Sequence, residues 1–343
     1  MNLPARLFAG ALAAALIALT GCQTGATESE GATPETRTSA DPDAFPVTIK
    51  HAFGETPVDA EPKRVATLGW TDQDNALALG VVPVAATKIT WGGNAAGSSD
   101  WFDAEIEKLG AKAPVRYDDT DGVPVEEVAK ADPDLILAVN SGLTKADYDK
   151  LTKIAPVVAY PEAPWVTPWR TSLETIGKAL GRSQAADEVE KQMDAKIEAA
   201  RKEYAQLQGK SFIYGYLTPT DLSQVGIYAG ADPRVSILRD FGLTDAPAVS
   251  KYVKKGEFYG QVSAERAAEL DSDVFITWVE KAADADKIRK DTMLGSIPAI
   301  ADGHFYALAD KQVASASTNP TPLSIDTIID QVLPQLAKAV SGS

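Results

Sequence analysis

The sequence predicts an α/β protein in which two lobes, each made of βα units, are joined by a single long helix. Three observations carry that prediction. Short β-branched runs alternate with helical stretches in both halves, a helix-and-strand block recurs with matching acids, and one uninterrupted amphipathic segment lies between the halves. A length of 343 residues suits two domains, and 45% apolar with 24% charged residues is ordinary globular composition, enough to bury a core in each half. The formal charge of −15, with no Lys/Arg-rich run, excludes nucleic-acid binding on electrostatic grounds. Cys22 is the sole cysteine, so no internal disulfide can form; with only His51 and His304, a site of several His or Cys ligands, including structural zinc, is excluded as well.

In chain order, residues 1–21 read as a signal peptide. Arg6 gives the positive start, and the 13 residues from 7 to 19 are mostly apolar, short of the ~20 that span a bilayer. Leu19-Thr20-Gly21-Cys22 follows at once. Small residues before a cysteine resemble the lipobox of bacterial lipoproteins, in which the thiol is acylated and becomes the first residue of the mature chain. An ordinary signal peptide with an incidental cysteine is the alternative. Residues 22–46 are rich in Gly, Ala, Thr, Ser, Glu and Pro, so they are expected to form a flexible tether, with folding starting near Val47.

The first lobe is expected over 47–182. Strands are predicted at 64–68, 84–87, 135–139 and 157–160, and helices at 72–79, 125–131 and 144–155, with Asp72 and Thr144 as caps. The connecting segment is 183–208. Within it Ala186, Val189, Met193, Ile197, Ala200, Tyr204 and Leu207 recur at helical spacing with charges on the other faces. A helix over 184–208 would reach about 37 Å, enough to cross between lobes; a packing helix within one lobe is the alternative.

The second lobe, 209–343, repeats the scheme with strands at 212–217, 274–278 and 304–308 and helices at 233–240, 264–269 and 324–339. Laying 125–139 on 264–278 matches Glu126 with Glu265, Ala129 with Ala268, Asp132 with Asp271 and Asp134 with Asp273. Both blocks read as helix, short acidic turn and buried strand, as expected of a duplication or of shared βα grammar.

In this order of elements the chain resembles the substrate-binding lipoproteins of ABC importers for ferric siderophores, a group that also includes vitamin B12 and haem binders. The stretches that carry the resemblance are RVATLGWTDQDNALALGVVPVA (64–85), VPVEEVAKADPDLIL (123–137), WVTPWRTSLETIGKALGR (165–182) and GQVSAERAAELDSDVFI (260–276). It implies two Rossmann-like lobes with the ligand held in the cleft between them and only slight relative motion. It also implies one acid on each lobe that docks onto arginines of the permease, by position Glu126 and Glu265. A carboxylate in the first turn of a helix is favoured whatever its function.

In open α/β lobes a ligand sits outside the carboxyl ends of the strands. The loops there hold Trp70, Lys88 with Trp91, Arg116 with Tyr117, and Trp165 with Trp169 and Arg170 on the first lobe. On the second they hold Tyr216, Tyr228, Arg234 and Trp278. Flat rings give a bulky organic ligand contact area at low entropy cost, and guanidinium forks suit the oxygens of an iron chelate. For Lys88, Arg116, Arg170 and Arg234 the alternative is a solvated charge or a brace for local acids such as Asp118 and Asp119. Trp101 and Tyr160 are expected to pack.

These readings predict a non-catalytic receptor that needs no cofactor. It is expected to be a monomer, held by lipid at Cys22 on the outer face of the cell membrane, that captures a ferric siderophore and delivers it to a permease driven by a separate ATPase. Chelated iron arrives with its coordination sphere filled, so the protein needs no metal ligands. Haem or vitamin B12 is the alternative ligand, Tyr216 or Tyr228 being candidate axial ligands for haem. An iron-releasing esterase is a weaker alternative, since G-x-S-x-G is absent and imidazoles are scarce. An adhesive lipoprotein with a vestigial cleft is the remaining one.

Overall fold

The structure is a computed structural model that describes residues 38–218, 221–230 and 232–342. An antiparallel hairpin, β1 (Val47–His51) and β2 (Gly54–Val58), precedes the first sheet. That sheet consists of β3 (Val65–Thr67), β4 (Ala85–Thr87), β5 (Val115–Tyr117), β6 (Leu135–Ala138) and β7 (Val157–Ala159). All are parallel, in the order β5-β4-β3-β6-β7. Helices α1 (Asp72–Ala78), α2 (Asp100–Leu109), α3 (Val125–Lys130), α4 (Lys145–Leu151) and α5 (Trp169–Ala179) complete this part. The strand order reverses direction at β3, so a crevice opens beyond the carboxyl ends of β3 and β6.

The connector is α6 (Ser183–Glu203), 21 residues long, which at 1.5 Å per residue is about 32 Å. Ala186, Met193, Ile197 and Ala200 form its buried stripe, as the periodicity predicts. It stops short of 208 because Tyr204 leaves helical geometry and a 3-10 turn, Ala205–Leu207, follows.

The second sheet is built from β8 (Ser211–Thr218), β9 (Asp221–Tyr228), β10 (Thr244–Asp245), β11 (Tyr259–Ser263), β12 (Val274–Trp278) and β13 (Phe305–Leu308). Around it lie α7 (Pro233–Asp240), α8 (Val249–Tyr252), α9 (Ala282–Lys290), α10 (Pro298–Ala301) and α11 (Lys311–Thr318). The order β11-β9-β8-β12-β13 is parallel across β8, β12 and β13, whereas β9 runs antiparallel to both β8 and β11. This departs from the expected βα alternation. Only two residues separate β8 from β9 in sequence, and so short a link permits only an antiparallel return. The helix expected over 324–339 is also divided, into Ile325–Thr327, a wide π turn Ile328–Val332 and a final helix Leu333–Ser341. Pro334 supplies no N–H to the ladder at that point.

Side-chain alternation joins the two halves. Leu135 and Leu137 of β6, Phe212 and Tyr214 of β8, and Val274 and Ile276 of β12 belong to one core shared with α5 and α6. Their neighbours Ile136, Ala138, Ile213 and Phe275 face two outer cores. A continuous apolar core beneath the cleft opposes wide opening of the lobes, since opening would return that surface to water.

The tether is shorter at its folded end than the composition suggests. Arg182, 1% exposed, donates through Nε to Thr38 Oγ1 and through one terminal nitrogen to Thr38 O, both at 2.7 Å, and it pairs with Glu61 at 2.8 Å. Asp41 accepts from the Gln184 amide at the start of α6 at 3.0 Å, and Phe45 packs on the shared core. Residues 38–46 are therefore docked on the first lobe, which the low apolar content of the segment concealed. Residues 1–37, including the expected signal peptide and Cys22, lie outside the described residues.

Candidate functional site

The cleft grows out of the loop after β3. There Trp70 precedes α1, whose Asp72 was expected to cap the helix but lies in its first turn. The Asp72 carboxylate instead accepts from Val139 N at 2.7 Å and Asn140 N at 3.1 Å, tying the carboxyl ends of β3 and β6 together. Burial raises its pKa to about 6, against those hydrogen bonds. Thr144 does cap α4, accepting from Asp147 N.

Trp70, Asp74, Ile89, Trp91 and Trp101 from the first lobe and Ser315 and Asn319 from the second line one small pocket, partly open to solvent. Trp91 meets Trp278 across the lobes at 5.1 Å between ring centroids, and Trp278 meets Tyr216 at 5.9 Å. On the rim Trp70 and Trp165 form an edge-on pair at 6.2 Å. Trp165 is 45% exposed and adopts φ +66°. Its indole lies over Gly142, where a β-carbon would sit 2.5 Å from the indole nitrogen, so glycine is required for this contact.

The four predicted cations take different roles. Arg234, near the start of α7, stacks on Tyr228 at 3.6 Å and pairs with the buried Asp232 at 2.8 Å; it remains at the carboxyl end of β9 with its charge balanced. Lys88 is exposed, and its stem lies over Gly97. Arg116 turns inward. Its guanidinium donates to Ser98 Oγ at 2.6 Å, to Thr87 O at 3.2 Å and to Gln73 Oε1, and stacks on Phe102 at 5.0 Å. Arg170 is a correction of a different kind: together with Trp169 it sits in the junction between lobes, away from the pocket lining. Trp169, 4% exposed, and Arg170 both donate to Asp240 of α7, at 3.0 and 2.6 Å, while Arg170 also pairs with Glu190 and Asp194 of α6. The pair braces the connector helix against both lobes.

Trp101 packs against the core, as expected, and also lines the pocket, where its Nε1 donates to Asp74 Oδ2 at 2.7 Å. Ser99 as helix cap and Gly110 as left-handed stop frame α2, and that signal could have placed it. Tyr160 does pack, donating to Leu143 O at 3.1 Å. His51 is buried and bonded to Thr56, and His304 bonds the Ala339 carbonyl; neither faces the cleft. Glu126 and Glu265 are exposed, each the second residue of its helical turn, and neither forms an ion pair among the described residues. The second of these turns, Ala264–Glu269, is 3-10 rather than α.

Two α/β lobes around one connector helix, with an aromatic pocket where they meet, define a ligand-binding protein of the two-lobed class. The chain belongs to the periplasmic binding protein family, whose model matches residues 65–312, as the resemblance in the sequence implies; the members of that family are binding proteins. Among solved structures it is similar to Streptococcus pneumoniae PiaA in complex with ferrichrome, with 37% identity and a TM-score of 0.82 over 87% of this chain and 99% of that one. Among curated proteins of Bacillus subtilis, the iron(3+)-hydroxamate-binding protein YxeB is 28% identical over 67% of this chain and 66% of its own length. The probable siderophore-binding lipoprotein YfiY is 30% identical over 44% and 43%. The matched stretch thus spans 66% of the first curated relative and less than half of the second.

Proposed function

We propose that this chain is the extracytoplasmic substrate-binding component of an ABC importer, a non-catalytic receptor that takes a ferric siderophore into the cleft between its lobes. The observation that carries this is the aromatic bridge from Trp91 of one lobe to Trp278 and Tyr216 of the other, beside the Trp70–Trp165 rim. Such rings cover an organic chelate from both sides and leave iron to its own ligands. The likeness to a ferrichrome complex and to siderophore-binding relatives supports the same ligand class. Glu126 and Glu265, exposed and equivalent in the repeat, would dock the two lobes on the permease. Cys22 would carry a lipid that holds the protein at the membrane. No helix among the described residues is long and apolar enough to cross one.

Tryptophan fluorescence of the purified protein, titrated with ferric hydroxamate, catecholate and carboxylate chelates, tests the reading. Saturable quenching by at least one class is expected at micromolar concentration or below, about −8 kcal/mol of binding. Indifference to all three would overturn it.

A further inference from the structure

The pocket lining contains one ionisable side chain, and it is an acid. Asp74 is 2% exposed, in the first turn of α1, and it faces the same void as the tryptophans. Its Oδ2 accepts from Trp101 Nε1 at 2.7 Å and, across the lobes, from Thr321 Oγ1 at 2.8 Å. Its Oδ1 has no hydrogen-bond partner of normal geometry, while the nearby Arg116 charge and the Gln73 side chain both favour the ionised form. A buried acceptor without a donor is costly unless something that enters the site supplies one. The cations expected to answer an anionic ligand are committed elsewhere: Arg116 donates to neutral protein groups and, near Asp74 without pairing with it, favours the ionised carboxylate; Arg170 lies in the junction, and Arg234 carries Asp232 beside it.

We infer that Asp74 determines specificity by charge, so that the cleft admits ferric chelates without net negative charge and rejects polyanionic ones. This rests on the siderophore-receptor reading and narrows it to a ligand class. Three hydroxamate anions cancel the charge of ferric iron, and a chelate of that kind with a free N–H or an ammonium group could donate to Asp74 Oδ1. Three catecholate dianions leave a triply negative complex, which a carboxylate in a water-poor pocket repels. Burial holds the carboxyl pKa near 6, so the group is mostly ionised at pH 7.5 and the filter is active there.

The test titrates the full chain at pH 7.5 with three probes: ferrioxamine B as a monocation, ferrichrome as a neutral chelate and ferric enterobactin as a trianion. Wild type is expected to bind the first two and to discriminate against the third. Asp74→Asn keeps an acceptor for Trp101 and Thr321 while removing the charge. It should raise the affinity for the trianion relative to ferrichrome by about tenfold or more, and lower that for the monocation relative to ferrichrome by several-fold. Thr321→Val, which removes the cross-lobe bond and leaves the charge, should keep both ratios within about twofold. Should Asp74→Asn fail to fold, Asp74→Ser makes the same comparison. Unchanged ratios in the charge-removing variants, or wild-type binding of the trianion as tight as that of ferrichrome, would overturn the inference while leaving the receptor intact. Wild type that binds none of the three but does bind an anionic ferric carboxylate chelate would also overturn the inference, and wild type that binds no chelate of any of these classes would instead overturn the receptor reading.

Discussion

Asp134 and Asp273 occupy equivalent places in the two lobes and do equivalent work. Asp134, just before β6, accepts from the Lys63 and Arg64 amides at 2.7 and 2.8 Å and so fixes the entry to β3. Asp273, just before β12, accepts from the Ser211 amide at 2.7 Å and fixes the entry to β8. At the opposite, carboxyl ends of those strands the lobes part company. The first lobe presents four tryptophans and an acid without a paired cation; the second presents Trp278 and Tyr216, with Tyr228 and Arg234, the latter already neutralised by Asp232, at the end of the antiparallel β9. The frame is duplicated and the mouth is not, which is the pattern expected when packing is constrained by the sheet and recognition is left to loops.

The largest effect should come from the parts of the frame that remained equivalent. If Glu126 and Glu265 are twin docking points, replacing both by Lys should stop uptake of a radioactive ferric chelate by cells while affinity in solution stays within about twofold. Each single replacement should give a partial loss of similar size. Normal uptake in the double variant would remove the docking role, and strongly unequal single effects would break the symmetry of the lobes.

Next in size is the mouth itself. Trp278 touches both Trp91 and Tyr216, whereas the 45% exposed Trp165 touches Trp70 on one side. Trp278→Ala is expected to weaken chelate binding by about 2–4 kcal/mol, a factor of 30 or more, and Trp165→Ala by about 1 kcal/mol. Isothermal titration with ferrichrome measures both, and an inverted order would place the grip on the rim rather than on the bridge.

Much of the frame was legible because strand, cap and helix signals are local. The strand Val274–Trp278 and the helix Pro233–Asp240 occur at their expected residues, and the stripe of α6 is buried where its spacing put it. The site was less legible because its contacts join distant parts of the chain. Arg170 meets Asp240 from 70 residues away, and Asp74 meets Thr321 from 247. A sequence shows that an arginine is present in a loop but not which acid has claimed it. For Arg170 that missing partner turned an expected ligand contact into a brace. For Asp74, surrounded in sequence by Asp72 and other helix-start polar residues, nothing local set it apart.

The smallest effect, and the sharpest on the difference between the mouths, is the sign of one substitution made in both. Asp74 and Asp232 are both buried, and burial raises the pKa of each. For Asp74 the folded value is about 6 against 3.8 in the unfolded chain, so its contribution is favourable at low pH and is lost as pH rises through 6. Asp74→Asn should therefore stabilise the ligand-free protein by about 1–2 kcal/mol at pH 7.5, with the gain fading toward pH 4. Asp232 instead neutralises Arg234 at 2.8 Å. Asp232→Asn leaves that guanidinium without its counter-ion and should cost about 1–3 kcal/mol at pH 7.5. Urea unfolding at both pH values reads the pair, and equal signs at pH 7.5 would show that the two mouths hold charge in the same way. Opposite signs would mean that the first lobe keeps, at a cost to its own stability, an acid that only a bound ligand rewards.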